Sequence, residues 1–98
     1  MTKPWYLRWL PCQTGLNRAT TYLENARHSK DQERAKKYCD KAKESLERIQ
    51  IIKTNSPSDL DQIISKYREH GAVLDKWQLR DEAKISYSKA NELRYDVN

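Results

Sequence analysis

Two stretches decide the fold, Tyr67-Arg68-Glu69-His70-Gly71-Ala72-Val73-Leu74 and Ala83-Lys84-Ile85-Ser86-Tyr87-Ser88-Lys89-Ala90. Gly71 and Leu74 in the first, with Ala83, Tyr87 and Ala90 in the second, recur at the three- and four-residue intervals of a helix face. Small residues at such intervals let two helices approach closely. A fainter version stands 48 residues upstream, at Ala35, Cys39 and Ala42. A repeated pair of helices argues for a scaffold rather than a catalyst.

Working outward, each flank carries an apolar stripe of helical period. Thr54-Asn55-Ser56-Pro57-Ser58-Asp59 is the clearest punctuation in the chain. Ser56 is placed to cap a helix that begins at Pro57, whose missing N–H is not needed there, and Asp59 meets the open N–H groups of the first turn. That helix carries Leu60, Ile63, Ile64, Tyr67, Gly71 and Leu74, and Asp75-Lys76-Trp77-Gln78 reads as the turn after it. The last helix carries Leu79, Ala83, Tyr87, Ala90 and Leu93 and ends near Arg94 or Tyr95. Upstream, the spacing predicts a helix after Thr14 and Gly15 to about Ser29, with the stripe Leu16, Ala19, Leu23 and Ala26. A longer helix from about Gln32 to Ile52 follows a break at His28-Ser29-Lys30-Asp31, where Ser29 or Asp31 can cap. The expected fold is all-α: four antiparallel helices arranged as two helical hairpins over residues 13–98, preceded by an aromatic segment at 1–12.

Composition agrees. A chain of 98 residues fits one domain and one thin core. Two glycines, three prolines and no phenylalanine leave little material for the turns of an all-β fold. The net charge is +5, and the basic excess lies in the first half: residues 30–53 hold eight basic and five acidic side chains, residues 54–98 seven and eight. That excess raises nucleic acid as an alternative partner, with Arg34, Lys36, Lys37, Lys41 and Lys43 as phosphate contacts. Acidic residues interleave with them, so they wrap the polar side of the helix instead of forming one stripe. Two cysteines do not make the disulfide framework of a small secreted domain. No apolar run approaches the roughly 18 residues of a membrane span. An intracellular, cytoplasmic protein is expected.

The residues from Tyr67 to Ala90 resemble a tetratricopeptide repeat, a helix–turn–helix of about 34 residues. Tyr67 takes its first large-aromatic position, and Gly71 the small residue that admits the partner helix. Leu74 stands where an aromatic is common, and Ala83, Tyr87 and Ala90 supply the small, aromatic and small residues of the second helix. His70 departs from the leucine usual beside the glycine, and Tyr95 stands where a closing proline is common. The same register upstream puts Ala19, Tyr22, Leu23 and Ala26 with Ala35, Cys39 and Ala42 in a degenerate repeat. The chain is also similar to helical-hairpin modules found beside signalling or nucleotide-binding domains in large fungal proteins. The resemblance implies a protein-binding adaptor without a reaction of its own, whose partner is another protein or a neighbouring domain of a longer chain.

No Gly-rich phosphate cradle, nucleophile elbow or His-Glu metalloprotease motif appears, so neither a catalytic residue nor a cofactor is expected. Cys12, Cys39, His28 and His70 lack the close spacing of a zinc site. Cys39 reads as a small buried hydrophobe, and Cys12 as the more exposed and reactive thiol. Candidate partner-binding residues are Trp5 and Trp9 in the opening segment, and Tyr22, His70, Tyr87 and Tyr95 around a groove between the hairpins. The opening segment either covers its own bundle, docks on a partner or second copy, or meets a membrane interface; self-association is one of its expected roles.

Overall fold

The computed structural model describes residues 9–49 and 56–97, with side chains through residue 94. It holds four α-helices: α1 (Cys12–Arg27), α2 (Gln32–Glu47), α3 (Pro57–Lys76) and α4 (Arg80–Val97). Two of the expected caps are in place. The Asp31 carboxylate accepts from the Arg34 N–H at 2.8 Å, and Ser56 Oγ accepts from the Asp59 N–H at 3.1 Å.

α1 lies along α2 and α3 lies along α4, while α3 also packs on both α1 and α2. Gly15, early in α1, meets Ser45 and Ile49 at the far end of α2, and Tyr22 lies level with Lys41, so these two helices run antiparallel. The expected stripes form the core: Leu16, Ala19, Leu23 and Ala26 from α1 meet Cys39, Ala42 and Leu46 from α2. Ile63, Tyr67, Val73 and Leu74 from α3 face Ala83, Ala90 and Leu93 from α4. Among the described residues, Leu23, Leu46, Ile63 and Leu74 are the largest fully buried apolar side chains. Burial of such groups contributes roughly 1.5–3 kcal/mol each.

Boundaries differ from the sequence expectation at several places; α4, for one, runs to Val97, past the expected end near Arg94 or Tyr95. α1 begins at Cys12 rather than after Gly15, with Pro11 as its cap residue, so Gly15 lies inside the helix. A side chain there would run into Ile49, which explains why this position is a glycine. α2 stops at Glu47, short of Ile52, which itself lies outside the described residues. The Leu10 N–H donates to the Arg48 carbonyl at 2.8 Å, and Leu10 and Ile49 form a parallel bridge. The chain ahead of α1 thus takes up a carbonyl at the end of α2 and leaves Ile49 extended.

The α3–α4 turn is tighter than the four residues first assigned to it. Lys76 still belongs to α3, and Gln78 adopts φ 63°. The Leu79 N–H donates to the Leu74 carbonyl at 2.9 Å and the Gln78 N–H to the Asp75 carbonyl at 2.9 Å. This is the Schellman pattern, with Leu79 packed back on the core and a glutamine at the position that favours glycine. The same turn joins the two pairs of helices. Trp77 Nε1–H donates to the Ala26 carbonyl at 3.0 Å, and Gln32 Nε2–H donates to the Trp77 carbonyl at 2.8 Å. Arg27 reaches Glu69 at 2.6 Å, and Lys66 reaches it at 2.8 Å. Burial works to raise the Glu69 pKa, but the hydrogen bonds from Lys66 and Arg27 outweigh it and hold the carboxyl below its ordinary value.

Two substitutions test this packing. Gln78→Gly removes the left-handed strain at an exposed position and is expected to stabilise the fold by roughly 0.5–1 kcal/mol in urea unfolding. A Cβ at residue 71 would stand 2.9 Å from the Tyr87 ring. Gly71→Ala therefore costs about 1 kcal/mol net, overpacking exceeding the gain in helix propensity. In a Tyr87→Ala background the same change becomes stabilising, so unfolding of the four proteins of the cycle reads out a reversal of sign.

Candidate interaction groove

A cavity of about 300 Å³ lies between α2 and α4, with α3 as its floor. Each helix contributes one face at helical spacing: Asp40, Lys43 and Glu47 from α2, then Tyr67, His70 and Leu74 from α3. α4 supplies Glu82, Ile85, Ser86 and Lys89. Lys36 closes one end, its Nζ 3.2 Å from both Asp40 Oδ2 and Glu82 Oε1. The hydrogen bonds to Glu82 and Asp40 raise the Lys36 pKa and keep it charged. Glu82 Oε2 is buried and has no hydrogen-bond partner among the described residues. Ile85 is 58% exposed, which makes it, with Trp9 at 57%, an uncovered large hydrophobe.

The floor is polar at one point. His70 is 3% exposed, with Nδ1 2.8 Å from Ser86 Oγ and Nε2 2.9 Å from the Cys39 carbonyl. Ser86 Oγ also lies 2.8 Å from the Tyr67 carbonyl, to which it donates. Burial lowers the His70 pKa, so the ring is neutral near neutral pH. It pushes the Tyr67 phenol up to about 12 and the Cys39 thiol up to about 11, which keeps both protonated. Ser86, His70 and a carbonyl stand in line as in a serine nucleophile relay. Yet Ser86 lies in mid-helix at 4% exposure, where neighbouring backbone N–H groups are spent within the helix and none is left to hold an oxyanion.

Of the partner-binding candidates singled out from sequence, His70 alone among the described residues lines this groove; of the phosphate candidates, Lys43 lines it and Lys36 stands at its end. Tyr22 is half-buried on the α1–α2 face, with Lys41 Nζ 5.7 Å from its ring centre. Tyr87 covers Gly71, with its hydroxyl 3.4 Å from Asp75. Trp9 stands exposed beside Leu10, far from these in sequence and in packing. Trp5 lies outside the described residues, and Tyr95 is placed only as a position in α4. The groove therefore does not gather Tyr22 and Tyr87, because its walls are α2 and α4 rather than the aromatic sides of the pairs. His70 is part of the floor and presents almost no surface of its own.

Sequence reasoning missed Glu82, Ile85 and Ser86. A signal for Ser86 was present, since Ala83, Ser86 and Ala90 share one buried face at intervals of three and four, with Tyr87 on its flank. The five phosphate candidates are also divided. Lys36 pairs with Asp40 and Glu82, Arg34 lies 3.7 Å from Asp31, and Lys43 lies 3.8 Å from Glu47. Lys41 sits over Tyr22, one helical turn from Lys37, on the side away from Lys36 and Lys43. Cys12 is partly buried, and burial followed by the charge of Asp59 raises its pKa, which lowers the reactivity expected of it.

Among the described residues, no group of three or more His, Cys, Asp and Glu side chains gathers in a way that would hold a metal ion. No described helix is long and apolar enough to cross a membrane. Comparison with protein-family models, with curated proteins and with solved structures gives no match to this chain.

Proposed function

We propose that this chain is a non-catalytic protein-interaction module that seats a segment of another protein, or of a neighbouring domain, in the groove between α2 and α4. The observation that carries this reading is Ile85, left 58% exposed on the rim of a cavity whose walls are otherwise charged. An exposed isoleucine gains by being covered, and the cavity beside it gives an apolar side chain somewhere to go. Glu82 Oε2, buried with no partner among the described residues, favours a hydrogen-bond donor in the incoming segment. The occupant is thus an apolar side chain with a lysine or arginine close to it in sequence. The tetratricopeptide-like spacing around Gly71 and Ala83 supports an adaptor of this kind, and two free thiols fit an intracellular, cytoplasmic setting.

A library of short random peptides displayed on phage and selected on the wild-type protein tests the proposal. Enriched peptides are expected to carry a basic residue within one helical turn of an apolar one. Ile85→Asp should weaken their binding about tenfold or more, as at an interface hot spot, with the helical circular dichroism retained. Lys37→Ala, on another face of α2, should leave it unchanged. Equal binding by Ile85→Asp, or enrichment of acidic peptides that depend on Lys37 and Lys41, would overturn the reading.

A further inference from the structure

We infer that His70 links the docking of α2 against α3 and α4 to pH, the groove loosening when the buried ring gains a proton. The inference stands on the geometry of one network and holds whether or not the groove receives a partner. Three contacts of 2.8–2.9 Å join the Cys39 carbonyl, the His70 ring, Ser86 Oγ and the Tyr67 carbonyl. They connect α2, α3 and α4 at a single buried point.

The protons do not suffice for three bonds. A carbonyl only accepts, so Nε2 must carry the hydrogen that faces Cys39. In the neutral ring Nδ1 is then an acceptor, and the Ser86 hydroxyl has one hydrogen for two acceptors, Nδ1 and the Tyr67 carbonyl. One short contact is always without its proton. A second ring proton completes the chain, with Nδ1–H donating to Ser86 Oγ and Ser86 donating to Tyr67.

Two forces therefore oppose each other at this ring. Hydrogen bonding, with Asp40 on α2 and Glu82 on α4 close by, favours the charged form. Burial and the ammonium of Lys43 disfavour it, and burial is the larger, so the folded ring binds its proton less tightly than at its ordinary pKa of 6.5. Tyr67 and Cys39, also against the network, stay neutral across this range. An open or unfolded chain takes up the proton more readily. Stability that is present above about pH 6.5 is then lost as pH falls towards the folded value. The opening that rehydrates the ring is at hand, because His70 already floors the cavity between α2 and α4.

The whole chain is titrated from about pH 8 to pH 5 with ring-nitrogen NMR, and amide exchange is followed in parallel. His70 is expected as the Nε2–H tautomer, titrating below its ordinary pKa of 6.5, with Ser86→Ala moving its midpoint lower still. Exchange of α2 and α4 amides lining the groove, corrected for the intrinsic rate, should accelerate several-fold on acidification. The midpoint denaturant concentration should fall over the same range and cease to fall in His70→Gln, which keeps a donor and an acceptor but cannot titrate. Titration of His70 at or above its ordinary pKa of 6.5, unchanged corrected exchange, or an undiminished acid dependence in His70→Gln would each overturn the inference. Should His70→Gln not fold, the wild-type titration and exchange decide it.

Discussion

The Tyr87 ring packs against Gly71, 2.9 Å from where a Cβ on residue 71 would stand, and this close contact fits the spacing of α3 and α4. With any larger residue at 71 the ring must give way, and the two helices move apart. Their present separation brings Ser86 Oγ within hydrogen-bond reach of the Tyr67 carbonyl and of His70, so a buried polar network depends on an absent methyl group. It also sets how far α4 stands from α2, because α4 packs along α3 and meets α2 chiefly through the Lys36 bridge. The groove is thus an outcome of helix packing and not of a loop.

The joints between the two pairs differ in strength. Lys36 to Glu82 is an exposed ion pair, which water and salt screen. Arg27 to Glu69 is more sheltered and shared with Lys66, so its geometry is better fixed. The indole of Trp77 combines burial of a large ring with a hydrogen bond to the carbonyl of Ala26 at the end of α1, which also accepts from the Ser29 N–H. It satisfies a helix end and covers apolar surface at once, which makes it the firmest of these joints.

Much of the fold was legible in the sequence because it is local. The stripes Leu16–Ala26, Ala35–Leu46 and Leu60–Leu74 needed only helical periodicity, and Ser56-Pro57 needed only the chemistry of a helix start. Gly71 could be read as a point of close approach because a mid-helix glycine carries a propensity cost that some contact must offset. Gly15 carries the same signal, yet the sequence pattern places it ahead of the helix, since Ile49, its neighbour in space, is remote in sequence. The end of α2 was hidden for a similar reason: Leu10 supplies the competing N–H from the other side of α1. The groove was least legible. Its walls come from α2 and α4, and no pattern within either helix says that the other stands across from it. The aromatic side chains drew the eye, whereas the exposed Ile85 and the buried Ser86 are unremarkable in a list of residues.

The Leu10–Ile49 bridge has a mechanical meaning. The hydrogen bond from Leu10 to Arg48 joins the residues just ahead of α1 to those just past α2, and so ties the start of one helix to the end of the other. Tension applied at Leu10 meets this clasp before it meets the first turn of α1. While the clasp holds, force passes to the far end of α2 and the two helices bear it together, without unwinding from the front.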